Sequence, residues 1–284
     1  MRRRRRSLQS IPYREGEYWE LDEKQYPSAT DPEYRERLNH FDQLSEQAWP
    51  QIPAYEYTES EHEVWSLLTD VLSPLQKRYC CEAFRKGVRH LELPADRVPQ
   101  LDDISAELER KTGFVLGPVG GIINEAEFLS ALADNVLRCA PYVRHPDNPF
   151  FSPIPDIIHE LRGHAPMLLH EPFLDLSIQI GESAEMAVEA GDEEWLETIG
   201  LFYWYTFETG LMREDGEIRV FGAALATGAL NAMDPTSTRI PFSLDAVRNR
   251  TIDWEQPQQE FLVADSLQEI IDAAERLATP ECVA

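Results

Sequence analysis

The sequence predicts a mainly α fold with a small β element, organised as a single domain, and three observations carry that expectation. Apolar residues recur at helical spacing behind capping signatures in several places along the chain. Strand patterning is thin, with one good hairpin candidate. No internal repeat and no Ser/Gly-rich linker divides the 284 residues, although length alone gives a prior of about two domains.

Residues 1–58 are polar and rich in Tyr, Pro and charge. They are expected to form an N-terminal arm, partly extended or disordered, wrapping a domain of residues 59–284. Ser60 and Glu63 make a capping-box signature ahead of Val64, Trp65, Leu67, Leu68, Val71 and Leu72. A second helix is expected across Pro74–Gly87, and a third from Asp102 or Asp103 after the Pro99 break. Asn124 and Glu127 cap another, which carries Phe128, Leu129, Leu132 and Val136. The hairpin candidate is LMREDGEIRVFG, where Asp215-Gly216 supplies the turn. Ser266 and Glu269 open the last helix, LQEIIDAAERLA.

The balance of 26 Lys+Arg against 51 Asp+Glu gives a net charge of −25, and five of the cations are confined to Arg2–Arg6. So acidic a body excludes nucleic acid as a partner, because phosphates need cations to neutralise them. No stretch of about 18 apolar residues is present, which excludes a membrane-spanning helix. The Arg-rich start lacks the apolar core of a secretory signal. It reads as a solvated arm, with a short nucleic-acid or membrane-surface tag as the alternative. Cys80, Cys81, Cys139 and Cys282 form neither a CxxC pair nor a disulfide framework, which fits a reducing cytoplasm. The hydrophobic fraction of 43% is that of an ordinary globular core.

The chemistry concentrates in residues 150–173, FFSPIPDIIHELRGHAPMLLHEPF. Pro155 and Asp156 can open a helix. His159 and His164 then follow five residues apart. On a regular helix that spacing turns about 500°, roughly 140° off a shared face. Gly163 is expected to loosen or end the turn so that His164 swings beside His159, and Pro166 to stop the helix. A third ligand is available in LFYWYTFETGLM, where Glu208 interrupts an apolar and aromatic helical run. A buried carboxylate is costly unless paired or bound to metal. Two imidazoles and one carboxylate form the facial triad of non-haem Fe(II) enzymes. The residue types alone leave a second reading open, two helix-terminal histidines with a salt-bridged glutamate.

The block PDIIHELRGHAP, with YVRH before it and FYWYTFETGL after it, resembles the pterin-dependent aromatic amino acid hydroxylases. RVPQLDDIS, TGFVLGPVGGII and EFLSALADNVLRCAPYVRH extend the resemblance, which covers roughly residues 40–270, the catalytic domain of that family. It implies a single hydroxylase-like domain of the compact bacterial type. The regulatory domain and long tetramerisation helix of the animal enzymes are not expected, which points to a monomer or dimer.

The resemblance also implies roles for individual residues. His159, His164 and Glu208 fall on the iron ligands, and Glu160 on a carboxylate that organises water and pterin. Phe128 falls on the aromatic that stacks on the pterin, although a Phe in an apolar helix is more often core. Gly121, Ile122 and Ile123 match the backbone loop at the pterin edge, and Tyr203 lies on the same side. Arg144 matches the arginine that grips the substrate carboxylate, a planar fork suited to bidentate binding; a surface ion pair is its bland alternative. Thr227 falls near that carboxylate, and Pro155 and Trp204 line the ring pocket. Trp204 favours a single-ring substrate. His145 also matches a position near the pocket, and a structural role suits it better.

Two departures bear on the product. Thr209 replaces the Phe, and Ala224 the Gly, of ordinary phenylalanine 4-hydroxylases. Less bulk after Glu208 and an added methyl opposite tilt the expectation towards the meta (3-) carbon of L-phenylalanine, with ordinary 4-hydroxylation or another aromatic amino acid as alternatives. TIDWEQPQQEFLVADS resembles a pocket segment but is two residues longer, so it contributes no site residue. The implied cofactors are Fe(II) and tetrahydrobiopterin or a related tetrahydropterin, with dioxygen as co-substrate. The partner is a small aromatic amino acid, with no nucleic acid and no membrane. More remote readings are a Zn hydrolase, disfavoured by the five-residue spacing, and a non-catalytic acidic interaction module, disfavoured because all three ligand positions are filled.

Overall fold

The computed structural model describes residues 31–120, 123–150, 152, 154–228, 231–234, 236–252 and 258–278. Within the segment expected as an arm, Pro32–Ala48 forms a helix, α1, capped by the Asp31 carboxylate on the Glu33 and Tyr34 amides. Its polar sequence hides it, because Phe41 is its one large side chain fully buried, beside Tyr55 and Tyr57. Arg37 clamps Glu61 at 3.0 and 2.8 Å, and the Tyr34 hydroxyl donates to the Val143 carbonyl.

Helix α2 is Glu59–Tyr79, and its capping box is Thr58 with Glu61, two residues before the expected pair. It runs through Pro74 and ends at Cys80, so the helix expected across Pro74–Gly87 is the end of α2 plus α3, Glu82–Leu91. Its neighbour Ser73 turns its hydroxyl back onto the Thr69 carbonyl, as interior serines do. Helix α4, Leu101–Thr112, starts within two residues of expectation. Strands β1 (Val115–Pro118) and β2 (Val136–Cys139) pair in parallel across helix α5 (Glu125–Ala131). Asn124 caps α5 as expected, whereas Glu127 pairs with Arg138 instead of completing a box.

The central helices follow. They are α6 (Ile157–His159), a π-helical turn over Glu160–His164, α7 (Ala165–Leu168), α8 (Glu171–Ala190) and α9 (Glu193–Tyr203), the last running into a second π turn, Trp204–Glu208. The expected hairpin forms as β3 (Leu211–Glu214) and β4 (Glu217–Val220), with Asp215 and Gly216 both at positive φ, 53° and 81°. Beyond it lie α10 (Ala223–Thr227), β5 (Thr238–Pro241), α11 (Leu244–Arg248), β6 (Glu260–Ala264) and α12 (Leu267–Leu277), capped by Ser266 on the Glu269 amide. The sheet order is β4-β3-β6-β5, with β6 parallel to both neighbours. Phe261–Ala264 are consecutively buried, which is why this central strand shows no alternation.

One continuous core, with Trp65, Phe84, Phe114, Phe202 and Phe261 fully buried, surrounds the π turns. Among the described residues, no helix is long and apolar enough to cross a membrane. Cys80, Cys81 and Cys139 are buried free thiols.

Helix α3 lies so close to α7 that a Cβ on Gly87 would stand 1.9 Å from the Pro166 carbonyl oxygen, a backbone atom unable to yield alone. Gly87→Ala is therefore expected to cost about 2–3 kcal/mol. Urea unfolding reads this directly, and an unchanged midpoint would contradict the packing.

Candidate active site

Asp156 starts the site. It is fully buried and caps α6, its Oδ1 accepting from the His159 amide at 3.0 Å. The same carboxylate accepts from Arg144 three times, from the backbone N (2.9 Å), Nε (2.9 Å) and Nη2 (2.7 Å). Four donors satisfy a charge that burial would otherwise penalise. Sequence reading placed Asp156 at the helix start but missed its grip on Arg144. An aspartate following Pro at the start of an apolar helix marks the cap, but nothing local marks a partner twelve residues upstream.

The two histidines meet without the helix ending. The Ala165 amide donates to the Glu160 carbonyl, five residues back. This wider turn absorbs the extra residue that the five-residue spacing introduces. Of the two outcomes expected at Gly163, the turn loosens and does not end, and the expectation that Pro166 stops the helix is corrected, since α7 continues through Pro166. The Arg162 carbonyl, which an N–H at position 166 would serve in a regular helix, accepts from Gln76 Nε2 at 3.2 Å. Gly163 is needed for close approach, since a Cβ there would lie 2.9 Å from the Ala223 Cβ of α10.

His164 Nε2 lies 3.0 Å from His159 Nε2 and 3.0 Å from Glu208 Oε1, and His159 Nε2 lies 3.4 Å from Glu208 Oε2. Glu208 closes the second π turn, in which the Thr209 amide reaches back to the Trp204 carbonyl. Ligands about 2.1 Å from one ion and at right angles to each other stand about 3.0 Å apart. The donor set, two imidazole nitrogens and a carboxylate oxygen at this spacing, therefore fits one face of an octahedral ion. Glu160 is the neighbouring carboxylate, grouped with both imidazoles within 4.8 Å, and its Oε1 accepts from the Ala140 amide at 3.3 Å. Glu208, with the shorter contacts to both imidazoles, fits the third position of such a set better than Glu160.

The two glutamates are driven apart electrostatically. Burial pushes Glu208 up, but the His164 and His159 imidazoles beside it together hold it well below the usual carboxylate range. Burial pushes Glu160 up to about 8, opposed by His164 and reinforced by Glu208.

The other sequence-predicted residues gather around this centre or lie nearby along the chain. Phe128, half-buried, meets Tyr203 edge-on at 5.3 Å, and Tyr203 stacks on Phe207 at 4.6 Å and lies 6.1 Å from His164. Ile123 is half-buried before α5, and Gly121 and Ile122 lie outside the described residues. Arg144 is buried, not superficial, and the Nε–Nη2 side of the fork expected to grip the substrate carboxylate is taken by Asp156. Its Nη1 keeps only long contacts, 3.4 Å each, to the Pro149 and Thr227 carbonyls. Thr227 donates its hydroxyl to the Ala223 carbonyl. Pro155 is exposed, Ala224 half-buried, and Trp204 Nε1 donates to Gln258 Oε1. Thr209 is buried and donates to the Trp204 carbonyl at 2.8 Å. His145 is held structurally by Asp31 and the Asp147 amide.

Comparison with known proteins places this geometry in context. A family model described as biopterin-dependent aromatic amino acid hydroxylase matches residues 8–279. The phenylalanine-4-hydroxylase of Rattus norvegicus is 33% identical over 270 residues, covering 92% of this chain and 58% of the rat protein. The tyrosine 3-monooxygenase of Mus musculus is 37% identical over 207 residues, covering 70% and 41%. The chain thus spans about half the length of the curated relatives it matches. Among solved structures, Chromobacterium violaceum phenylalanine hydroxylase with bound iron(III) and 7,8-dihydrobiopterin superposes with a TM-score of 0.72 at 27% identity, over 78% of this chain and 82% of that one.

Glu160 supplies a pH test on the metal-free protein. A raised folded-state value means that its stabilising contribution is complete below about 4.5 and is lost as pH rises through about 8. Relative to Glu160→Gln, the wild type should lose stability between those limits at up to about 1.4 kcal/mol per pH unit. Parallel unfolding curves for the two proteins across this range would contradict the burial argument.

Proposed function

The chain belongs to the biopterin-dependent aromatic amino acid hydroxylases, and from that premise we propose that it hydroxylates the ring of free L-phenylalanine, favouring the meta (3-) carbon. The observation that carries the reading is the convergence of His159, His164 and Glu208 at 3.0–3.4 Å, donors suited to Fe(II) with one face left open. Bound together, iron and a tetrahydropterin supply the reduction of dioxygen, chemistry that belongs to the metal and cofactor and not to the protein.

The chain's own residues position and insulate. Phe128, braced edge-on by Tyr203, offers its ring to the flat pterin. Ile123, half-buried before α5, is assigned to the same side. Glu160, a buried carboxyl beside both imidazoles that accepts from the Ala140 amide, is suited to organise water and pterin. Arg144 takes the substrate carboxylate through Nη1, whose contacts at 3.4 Å are the ones easily exchanged, with Thr227 nearby. Asp156 keeps the guanidinium from swinging, which is worth more than an extra contact where ring placement decides the product.

Pro155, Trp204, Thr209 and Ala224 are assigned to the ring pocket. At position 209 a small side chain, its hydroxyl already committed to the Trp204 carbonyl, leaves room directly after the Glu208 ligand. At position 224 a methyl projects where glycine would leave space. Room at position 209 and a methyl at position 224 would together tilt the ring so that its meta carbon, rather than its para carbon, is presented for hydroxylation.

An aerobic assay with Fe(II), tetrahydropterin and L-phenylalanine, separating ortho-, meta- and para-tyrosine, should yield mainly meta-tyrosine. His159→Ala and Glu208→Ala should each lower iron affinity and product formation by more than about 100-fold, beyond the effect usual for outer-shell partners. Retained iron and turnover would overturn the ligand assignment. Thr209→Phe with Ala224→Gly should shift the meta:para ratio towards para by about tenfold, equivalent to about 1.4 kcal/mol between two transition states. An unchanged ratio would remove the pocket argument while leaving the hydroxylase reading intact.

A further inference from the structure

Among the described residues, a half-open pocket of about 300 Å³ lies between α2, α3 and the first π turn. Thr69, Ser73, Val88, Leu93, Arg162 and Pro166 form its wall, and the exposed Arg89 and Glu92 also line it. None of the residues assigned to iron, pterin or substrate contributes to it.

Arg162 gives this cavity chemical meaning. It is 4% exposed and forms no ion pair with any carboxylate among the described residues. Nη2 donates to Ser73 Oγ at 2.9 Å and Gln76 Oε1 at 3.1 Å, and Nη1 reaches Thr69 Oγ1 at 3.4 Å. Nε, itself shut off from solvent, has no hydrogen-bond partner among the described residues. Arg144, equally buried, has Asp156 as its counterion; Arg162 has only neutral acceptors. A buried guanidinium with an orphaned N–H and no opposite charge is costly. The cavity it lines is the place where a counterion can be supplied.

We propose that this cavity is a second binding site, for a small organic carboxylate. The anionic head pairs with Arg162, supported by Arg89, whose own partner Glu82 is held at only 3.5 Å. The body of the ligand lies against Val88, Leu93 and Pro166. The volume sits at the lower limit of ordinary ligand pockets, about 300–1,000 Å³, which suits an acid with a single ring or a short chain. Glu92 makes the entrance mixed in sign and so selects a compact monoanion over a polyphosphate. The inference does not rest on the hydroxylase reading, and failure of either leaves the other standing.

The test is a titration of the full chain with 4-fluorobenzoate at constant ionic strength, followed by fluorine NMR. Saturable binding is expected, weakened at least tenfold by Arg162→Met and several-fold by Arg89→Met. Val88→Phe, which fills the cavity, should abolish that binding while keeping the fold, and it decides the matter if Arg162→Met does not fold. No saturable binding to the wild type, or binding unaffected by Val88→Phe and Arg89→Met, would overturn the proposal; the latter result would place the acid elsewhere, as at Arg144.

Discussion

The five-residue backbone hydrogen bond across Glu160–His164 is the constraint on which the site depends. On an α-helix, His159 and His164 would diverge by roughly 140°. The wider turn returns them to one side, 3.0 Å apart at their Nε2 atoms, without breaking the helix or exposing its backbone. The same device recurs at Trp204–Glu208, so both polypeptide segments that supply donors depart locally from regular α geometry. Such turns persist only where surrounding contacts over-determine them. Here Gln76 serves the Arg162 and Ala226 carbonyls, linking the metal turn to α10, while α3 presses on α7 at Gly87.

A second constraint ties recognition to chemistry. Asp156 is at once the cap of the helix that carries His159 and the anchor of Arg144. Arg144, proposed to bind the substrate carboxylate, and His159, proposed as the first metal ligand, are thus positioned by one buried side chain, and the distance between them cannot drift independently. Truncating Asp156 would leave a buried guanidinium unpaired, a change of about 3–5 kcal/mol in comparable cases. Arg144 and Arg162 contrast instructively, since one is neutralised within the chain and the other is not.

Much of this was legible in the residues. The hairpin, the Ser266 cap and the α4 start followed from turn and capping chemistry acting over three or four residues. Residue types alone left two readings for Glu208, a third ligand beside two histidines or a salt-bridged glutamate, and the three side chains do meet within 3.0–3.4 Å. What escaped depended on distant packing. Helix α1 has one fully buried large side chain, Phe41, so its apolar stripe is too narrow to register. Strands β1, β2, β5 and β6 have four or five residues each, too short for alternation to declare itself. The π turns and Pro166 were misjudged for the same reason: each is sustained by tertiary partners, Gln76 above all, that local propensity does not encode. Nothing local in the sequence marks Arg162, and only its surroundings show it to be a buried cation without a counterion among the described residues.

The account stands on His159, His164 and Glu208 forming the faces of one metal site, and anomalous diffraction at the iron edge from Fe(II)-loaded crystals tests this most directly. One peak per chain is expected, within about 2.0–2.2 Å of His159 Nε2, His164 Nε2 and a Glu208 carboxylate oxygen. A peak elsewhere, or one touching fewer than these three side chains, would contradict it.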